Sequence, residues 1–226
     1  MTLYIGLDLA LTSDYTAIAI VDKGLTPKLD PAGRPSYPGY LLNLDTCNVT
    51  YDLVHLERYS LGTNSIEVVR KVKEMIGGPA FFNRDYQILP DSTGMGRPIV
   101  DQLRLAKLHL IPIVITAGSE ETNKDGFCHV PKRELISNIS IMLDNHELRA
   151  DKFLPNRQIL IDELKAFKLK ISLAGNDTYE AWRNEGAHDD LVLAAAMAAY
   201  WAKRHGHAGE LGKQIVTNPW LKVPGI

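Results

Sequence analysis

The residues best suited to chemistry in this chain are carboxylates: Asp8, Asp91 and the adjacent pair Asp189 and Asp190. Asp8 stands in an alternating run, with Leu3, Ile5, Leu7 and Leu9 on one face and Tyr4, Gly6, Asp8 and Ala10 on the other. An aspartate within a strand runs against β propensity. Its small neighbours leave room for a metal ion or a phosphate to reach it; the alternative is an acid paired with a buried Arg or Lys. Asp91 follows the short apolar stretch Tyr86 to Leu89 and precedes Ser92-Thr93-Gly94-Met95-Gly96. That segment can bend sharply and bring backbone N–H groups close to a phosphate, although a plain turn with a capping aspartate fits the same residues. His188-Asp189-Asp190 opens a helix whose next residues, Leu191 to Ala199, are nearly all aliphatic and mostly Ala. The helix dipole favours acids in a first turn whatever their task, and it also keeps carboxylates ionised, as metal ligands must be.

Each signal is weak singly, and the combination is stronger. Carboxylates on a strand, after a neighbouring strand and at a helix start can converge on one point. Carboxylate oxygens and water form the ligand set of Mg²⁺ or Mn²⁺, not of zinc. Two such ions about 3.5–4 Å apart activate water and stabilise the leaving oxygen in phosphodiester hydrolysis.

The elements that must position these acids follow from periodicity. Two strands, Leu3 to Ala10 and Thr16 to Val21, flank a short turn at Thr12-Ser13-Asp14. A Pro- and Gly-rich excursion from Lys23 to Gly39 leads to a third strand within Leu53 to Ser60. Ser65 is positioned to cap a helix in which Ile66, Val69, Val72 and Ile76 recur at helical spacing. A strand at Tyr86 to Leu89, a helix at Pro98 to Leu108 and a strand at Leu110 to Thr116 come next. Helices follow from Pro131 to about Asn145 and from Pro155 to Ala166. Phe167 to Leu173 alternates apolar residues with Lys168, Lys170 and Ser172, and pairs with Thr178 to Trp182 as an extra β-hairpin. The last helix runs from near His188 to about Lys203. Three antiparallel strands followed by alternating helices and strands is the ribonuclease-H-like order. The expectation is an α/β fold with a mixed central sheet flanked by helices, as one domain over residues 1–206, with a tail at 207–226.

Composition agrees with this. The 226 residues are 45% apolar and 23% charged, the balance of a folded protein of one large domain. Lys and Arg number 25 against 27 Asp and Glu, so there is no overall basic coat, though catalytic acids can offset a local basic groove. Cys47 and Cys128 form no C-x-x-C pair, which argues against a disulfide scaffold or a cysteine zinc site and fits a reducing compartment. The first residues lack a basic stretch before an apolar core and no apolar run nears 18 residues, so neither a signal peptide nor a membrane span is expected.

Five segments carry a resemblance to a known family: YIGLDLALTSDYTAIAIV, LPDSTGMGRPIVDQL, VPKRELISNISIMLDNHELR, LIDELKAFKLKIS and HDDLVLAAAMAAYWA. In this order, and over most of its length, the chain resembles the nuclease domain of the large terminase subunit of tailed bacteriophages. The resemblance implies a two-metal DNA endonuclease, using Mg²⁺ or Mn²⁺, that cuts concatemeric duplex DNA during genome packaging in the host cytoplasm. Asp8, Asp91, Asp189 and Asp190 would be the catalytic metal ligands, with the division between the last two left open. His188 would orient an acid or a water, or else simply cap its helix. Implied partners are double-stranded DNA, an ATPase motor domain, the small terminase subunit and the portal, with the isolated domain monomeric. The chain has no Walker A loop, so it is expected to be either an excised domain or a stand-alone nuclease.

Basic residues are modestly clustered. Lys165, Lys168 and Lys170 lie where a hairpin flanks the site in this family and are candidates to hold the DNA backbone, against a solvated strand face. Arg97, just after the Gly turn, is a phosphate candidate or an ion-pair partner. Lys132/Arg133 and Lys203/Arg204 read as ordinary surface charge. Two other enzyme classes compete. A junction-resolving nuclease would need a dimer, and a sugar-kinase or actin-like ATPase would need two such domains around one nucleotide.

Overall fold

Residues 2–10, 14–34, 47–174 and 188–204 are described in a computed structural model of the chain, with the backbone alone for residues 95 and 167–174. The alternating first segment forms β1 (Thr2–Asp8), antiparallel to β2 (Ala17–Pro27), which is antiparallel in turn to β3 (Cys47–Arg58). Both later strands are longer than periodicity alone suggests: β2 continues through Lys23, and β3 begins at Cys47. The chain then forms α1 (Ser65–Ile76) and returns as β4 (Asp85–Pro90), parallel to β1 on its free side. A short strand, β8 (Leu148–Ala150), adds in parallel to β3, giving the order β4-β1-β2-β3-β8.

Beyond β4 lies β5 (Ile113–Thr116), joined to it by isolated bridges at Ile88–Leu110 and Asp91–Ile113 rather than by a ladder. The expected strand from Leu110 is therefore interrupted, and Pro112, which has no N–H to donate, lies within the gap. Outside β5 a hairpin pairs β6 (Thr122–Lys124) with β7 (Phe127–Pro131), the latter parallel to β5. Its turn, Asp125-Gly126, has φ of 54° and 77°, the left-handed pair that two-residue hairpin turns require. The remaining helices are α2 (Arg97–Leu105), α3 (Lys132–Asp144), α4 (Arg157–Ala174) and α5 (Asp190–Arg204). The arrangement is ribonuclease-H-like: a mixed central sheet with helices on both faces.

Two expectations need correction. The cap of α1 is Asn64, whose Oδ1 accepts a bond from the Glu67 N–H at 2.9 Å, and Ser65 is the first helical residue. Phe167 to Leu173 is the last part of α4, not the first arm of a hairpin. Its alternation suits a strand, but positions 160, 164, 167 and 171 also recur at helical spacing, and Leu and Lys favour helices. The expected second arm, 178–182, and the tail, 207–226, lie outside the described residues. Among those residues no helix is long and apolar enough to cross a membrane.

The sheet buries a different cluster on each face. Leu3, Ile5, Leu7, Ile18 and Ile88 meet Val68 and Val72 of α1 and Ile99 and Leu103 of α2. Tyr4, Ala17, Ala19, Val21 and Leu89 meet α5, outside which lie Leu135, Ile139 and Met142 of α3. Every residue of α5 from Asp190 to Ala202 is buried, so this is a core helix with no solvent face over that length. It lies unusually close to the sheet. A Cβ on Gly6 would stand 1.9 Å from the Ala194 carbonyl oxygen, far inside any contact distance.

Gly6→Ala should therefore push α5 off β1. We expect a loss of at least about 1–3 kcal/mol of stability, the usual range for overpacking, read by thermal melting. Gly118→Ala, where the added atom meets only Thr116 Oγ1 at 3.5 Å, should melt like the parent.

Candidate functional site

Four elements end or begin at one edge of the sheet. Because β1 and β4 are parallel with Leu7 opposite Pro90, Asp8 and Asp91 leave the sheet side by side, and the Asp91 N–H bonds the Leu7 carbonyl at 2.8 Å. Asp8 is thus the last residue of its strand and not, as the alternation suggested, a mid-strand residue. Across the antiparallel ladders, Asp8 pairs with Ala17 and Ala17 with Arg58, which places Arg58 at the same edge. The N-terminus of α5 adds Asp189 and Asp190 above it.

The turn after Asp91 is held tightly. Asp91 Oδ1 accepts the Thr93 N–H at 2.8 Å, and Thr93 Oγ1 accepts the Ile115 N–H at 2.9 Å, tying the turn to β5. The backbone doubles back so closely that a Cβ on Gly96 would lie 2.2 Å from the Asp91 carbonyl oxygen. Arg97 follows at the start of α2 and is exposed; its guanidinium lies over the Phe127 ring at 5.1 Å, with Arg104 over the same ring at 5.2 Å. Aromatic stacking against the β6–β7 hairpin, not an ion pair, is the contact seen for Arg97.

The β1–β2 connection contributes an acid that motif reading passed over. Thr16 Oγ1 donates to the Ala10 carbonyl and accepts from the Ala10 N–H, both at 3.2 Å, and so pins the neck of this connection. Asp14 Oδ1 lies 3.1 Å from His188 Nδ1, and His188 packs edge-on against Tyr15 at 4.8 Å between ring centroids. Ligand atoms of Asp14, His188 and Asp190 all fall within 4.8 Å of one another, a group that could hold a metal ion. Asp8, Asp91 and Asp189 stand around this group without joining that tightest set. The only sequence signal for Asp14 is its place six residues after Asp8, in what reads as a turn.

Two cations border the acids. Lys132 Nζ lies 2.8 Å from Asp189 Oδ2, so this lysine is part of the site and not ordinary surface charge. Arg58 lies over the Tyr15 ring at 4.6 Å, bonds Glu163 and comes within 3.3 Å of Asp190 Oδ2. Glu163, on α4, also accepts the Val192 N–H at 3.0 Å and thereby caps the first turn of α5. Neither Arg58 nor Glu163 belongs to a recognisable motif; a Glu among the apolar positions Leu160 and Leu164 was the available hint.

The charges are expensive to hold together. Burial, then the charges of Asp91, Asp190, Asp189 and Asp14, raises the Asp8 carboxyl well above its ordinary value. Asp91 is also raised by burial, opposed by the bonds from Thr93 and by Lys132. Asp190, 2% exposed, is pushed up to about 8, first by burial and then by Asp14, with Arg58 pulling the other way. Burial raises Glu163 to about 7, against the Val192 N–H bond and Arg58. A bound divalent cation would relieve this repulsion. One atom supports the fit: among the described residues Asp190 Oδ2 is fully buried and receives no hydrogen bond, with Arg58 Nη2 no closer than 3.3 Å. Buried acceptors without partners are rare and call for an explanation such as an ion.

Of the proposed DNA contacts, Lys165 is exposed on α4 and lies 4.0 Å from Asp162. With the segment helical, positions 165 and 168 share a face and position 170 belongs to another. The side chains of Lys168 and Lys170 lie outside the description.

No protein-family profile matches the chain. Over 176 residues, 77% of its length, it is 26% identical to the protein named terminase, large subunit, of Thermus virus P23-45, and 25% identical to that of Thermus phage G20c. The chain spans only 31% of the length of these relatives. Two crystal structures of the large terminase nuclease from thermophilic phage G20c, one with bound zinc, align over 89% of this chain and 81% and 82% of theirs. The TM-score is 0.48 in each case, at 20% and 19% identity. The curated relatives are homologues of this chain.

A raised carboxyl pKa stabilises the fold below the unfolded value, near 4, and that stability is lost as pH climbs through the folded value. In EDTA the melting temperature should fall between about pH 4 and pH 8, the window set by Asp190. Asp8→Asn should flatten this decline and melt at or above the parent at pH 8, by on the order of 1 kcal/mol. A pH-independent melting temperature in EDTA would mean that the acids are not crowded.

Proposed function

We propose that this chain, a homologue of terminase large subunits, is the nuclease part of such a protein. It hydrolyses phosphodiester bonds of duplex DNA with two divalent metal ions, Mg²⁺ or Mn²⁺, and cuts concatemeric viral DNA during packaging. The observation that supports this reading is the convergence of Asp8, Asp91 and the Asp189/Asp190 pair at one end of the sheet, with a buried Asp190 oxygen that receives no hydrogen bond among the described residues. A set made mainly of carboxylates suits hard divalent ions.

Asp8, Asp91 and Asp190 would hold the metals, with Asp14 and His188 completing the set on the side of the β1–β2 connection. When bound, such ions activate water for attack and stabilise the charge that develops on the leaving oxygen. The chain's own residues do the rest. Burial of Asp8 and Asp190 excludes competing water from one side of the site. Lys132 offsets the charge of Asp189. The turn from Asp91 to Gly96 brings backbone close enough to meet a phosphate, and Arg97 stands at its end. Lys165, with position 168 on the same face of α4, would extend the path of the DNA backbone. By the same kinship, an ATPase motor domain, a small terminase subunit and a portal are the proposed partners, in the host cytoplasm.

Supercoiled plasmid tests the chemistry. We expect nicking and linearisation with Mn²⁺, less with Mg²⁺ and none with EDTA, and Asp8→Asn should abolish cleavage. Cutting that persists in EDTA would sink the carboxylate–metal reading. A triple Gln variant at positions 165, 168 and 170 should weaken binding to all sequences alike and flatten the salt dependence of log K by about 0.9 per lost phosphate contact. An unchanged slope would place the DNA elsewhere.

A further inference from the structure

We propose that Glu163 is a positioning residue: it draws the Arg58 guanidinium onto itself and so leaves the inner oxygen of Asp190 open to a cation. The inference rests on the metal-dependent reading above and concerns residues that no sequence motif identifies.

Three observations carry it. Glu163 is 7% exposed, and both of its oxygens are engaged, one by Arg58 Nη2 and the other by the Val192 N–H at 3.0 Å. Both oxygens are thus held by donors of the protein itself. The same Nη2 lies 3.3 Å from Asp190 Oδ2, within ion-pair range, yet Oδ2 receives no hydrogen bond although it is fully buried. Arg58 Nε, also buried, lacks a partner as well, while the guanidinium lies over the Tyr15 ring at 4.6 Å. One cation thus stands between two buried acids and bonds only the outer one. An Arg fork has five N–H donors and can turn to either carboxylate beside it. Without the Glu163 carboxylate, the guanidinium would move onto Asp190 and occupy the oxygen that a metal needs. Glu163 thus acts through Arg58, and its bond to Val192 fixes the same helix turn that presents Asp190.

Mn²⁺ titration calorimetry on the full chain provides the test, with wild type, Glu163→Gln, Arg58→Gln and the double variant. The Gln amide oxygen can keep the Val192 bond, so the helix cap survives. Glu163→Gln should weaken Mn²⁺ binding by about 10-fold, the usual cost of removing a group that orients a ligand. Arg58→Gln should bind Mn²⁺ more tightly than wild type. The double variant should bind more tightly than Glu163→Gln alone, a rescue that a purely structural role for Glu163 would not give. Unchanged binding in Glu163→Gln, or a double variant weaker than that single one, overturns the proposal. Should Glu163→Gln fail to fold by circular dichroism, Arg58→Gln decides alone: tighter binding supports the proposal, unchanged or weaker binding overturns it. A wild type that binds no Mn²⁺ removes the metal reading and this one together, whereas wild-type binding with an unaffected Glu163→Gln removes only this one.

Discussion

The Ala194 carbonyl of α5 rests where a side chain on Gly6 would otherwise be, and this contact fixes how far the helix stands from the sheet. From that distance follows the position of the first turn of α5, and with it Asp189 and Asp190. Alanine along the helix and alanine at positions 17 and 19 of β2 serve the same end, since small side chains let the two backbones approach. A larger residue anywhere along this contact would lift the acids of α5 away from Asp8.

That geometry works against the fold's own electrostatics. Carboxylates that would repel one another in water are gathered where water is scarce, and the two bordering cations are placed to the side rather than in the middle. Arg58 is turned toward Glu163, and Lys132 reaches Asp189. The core clusters on either face of the sheet supply the cohesion that tolerates this, as local violations at functional sites generally require. The site is thereby biased toward a guest of positive charge.

Much of this was legible in the chain. The period-two alternation of residues 3–10 and the Ala-rich run after Asp190 identified the strand and the helix that carry the acids, and Asp91 was expected just after a neighbouring strand, as found. What escaped has physical reasons. Asp14 looks like a turn residue because Asp serves turns as readily as metals. Arg58 and Glu163 become meaningful only when two strands and two helices come together, which no local window contains. The Asp125-Gly126 dipeptide was a hairpin signal that went unread, whereas Phe167 to Leu173 satisfied strand and helix periods at once and took the helical form that its Lys and Leu residues favour. The resemblance to terminase nucleases added an implied role, metal ligation for DNA cleavage, to acids that the residues already suggested could converge.

The acids also lie far apart in sequence: Asp8 on the first described strand and Asp190 on the last described helix. During synthesis the ribosome delivers β1, β2 and β3 long before α5, so the emerging polypeptide exposes the sheet face that α5 will cover while lacking half of its acids. Until α5 has left the exit tunnel, Asp8 and Asp91 have neither Asp190 nor the capped turn beside them. Assembly of the acid cluster thereby waits for the synthesis of α5, and a chain cut short before residue 190 would carry an uncovered, aggregation-prone sheet and an incomplete centre.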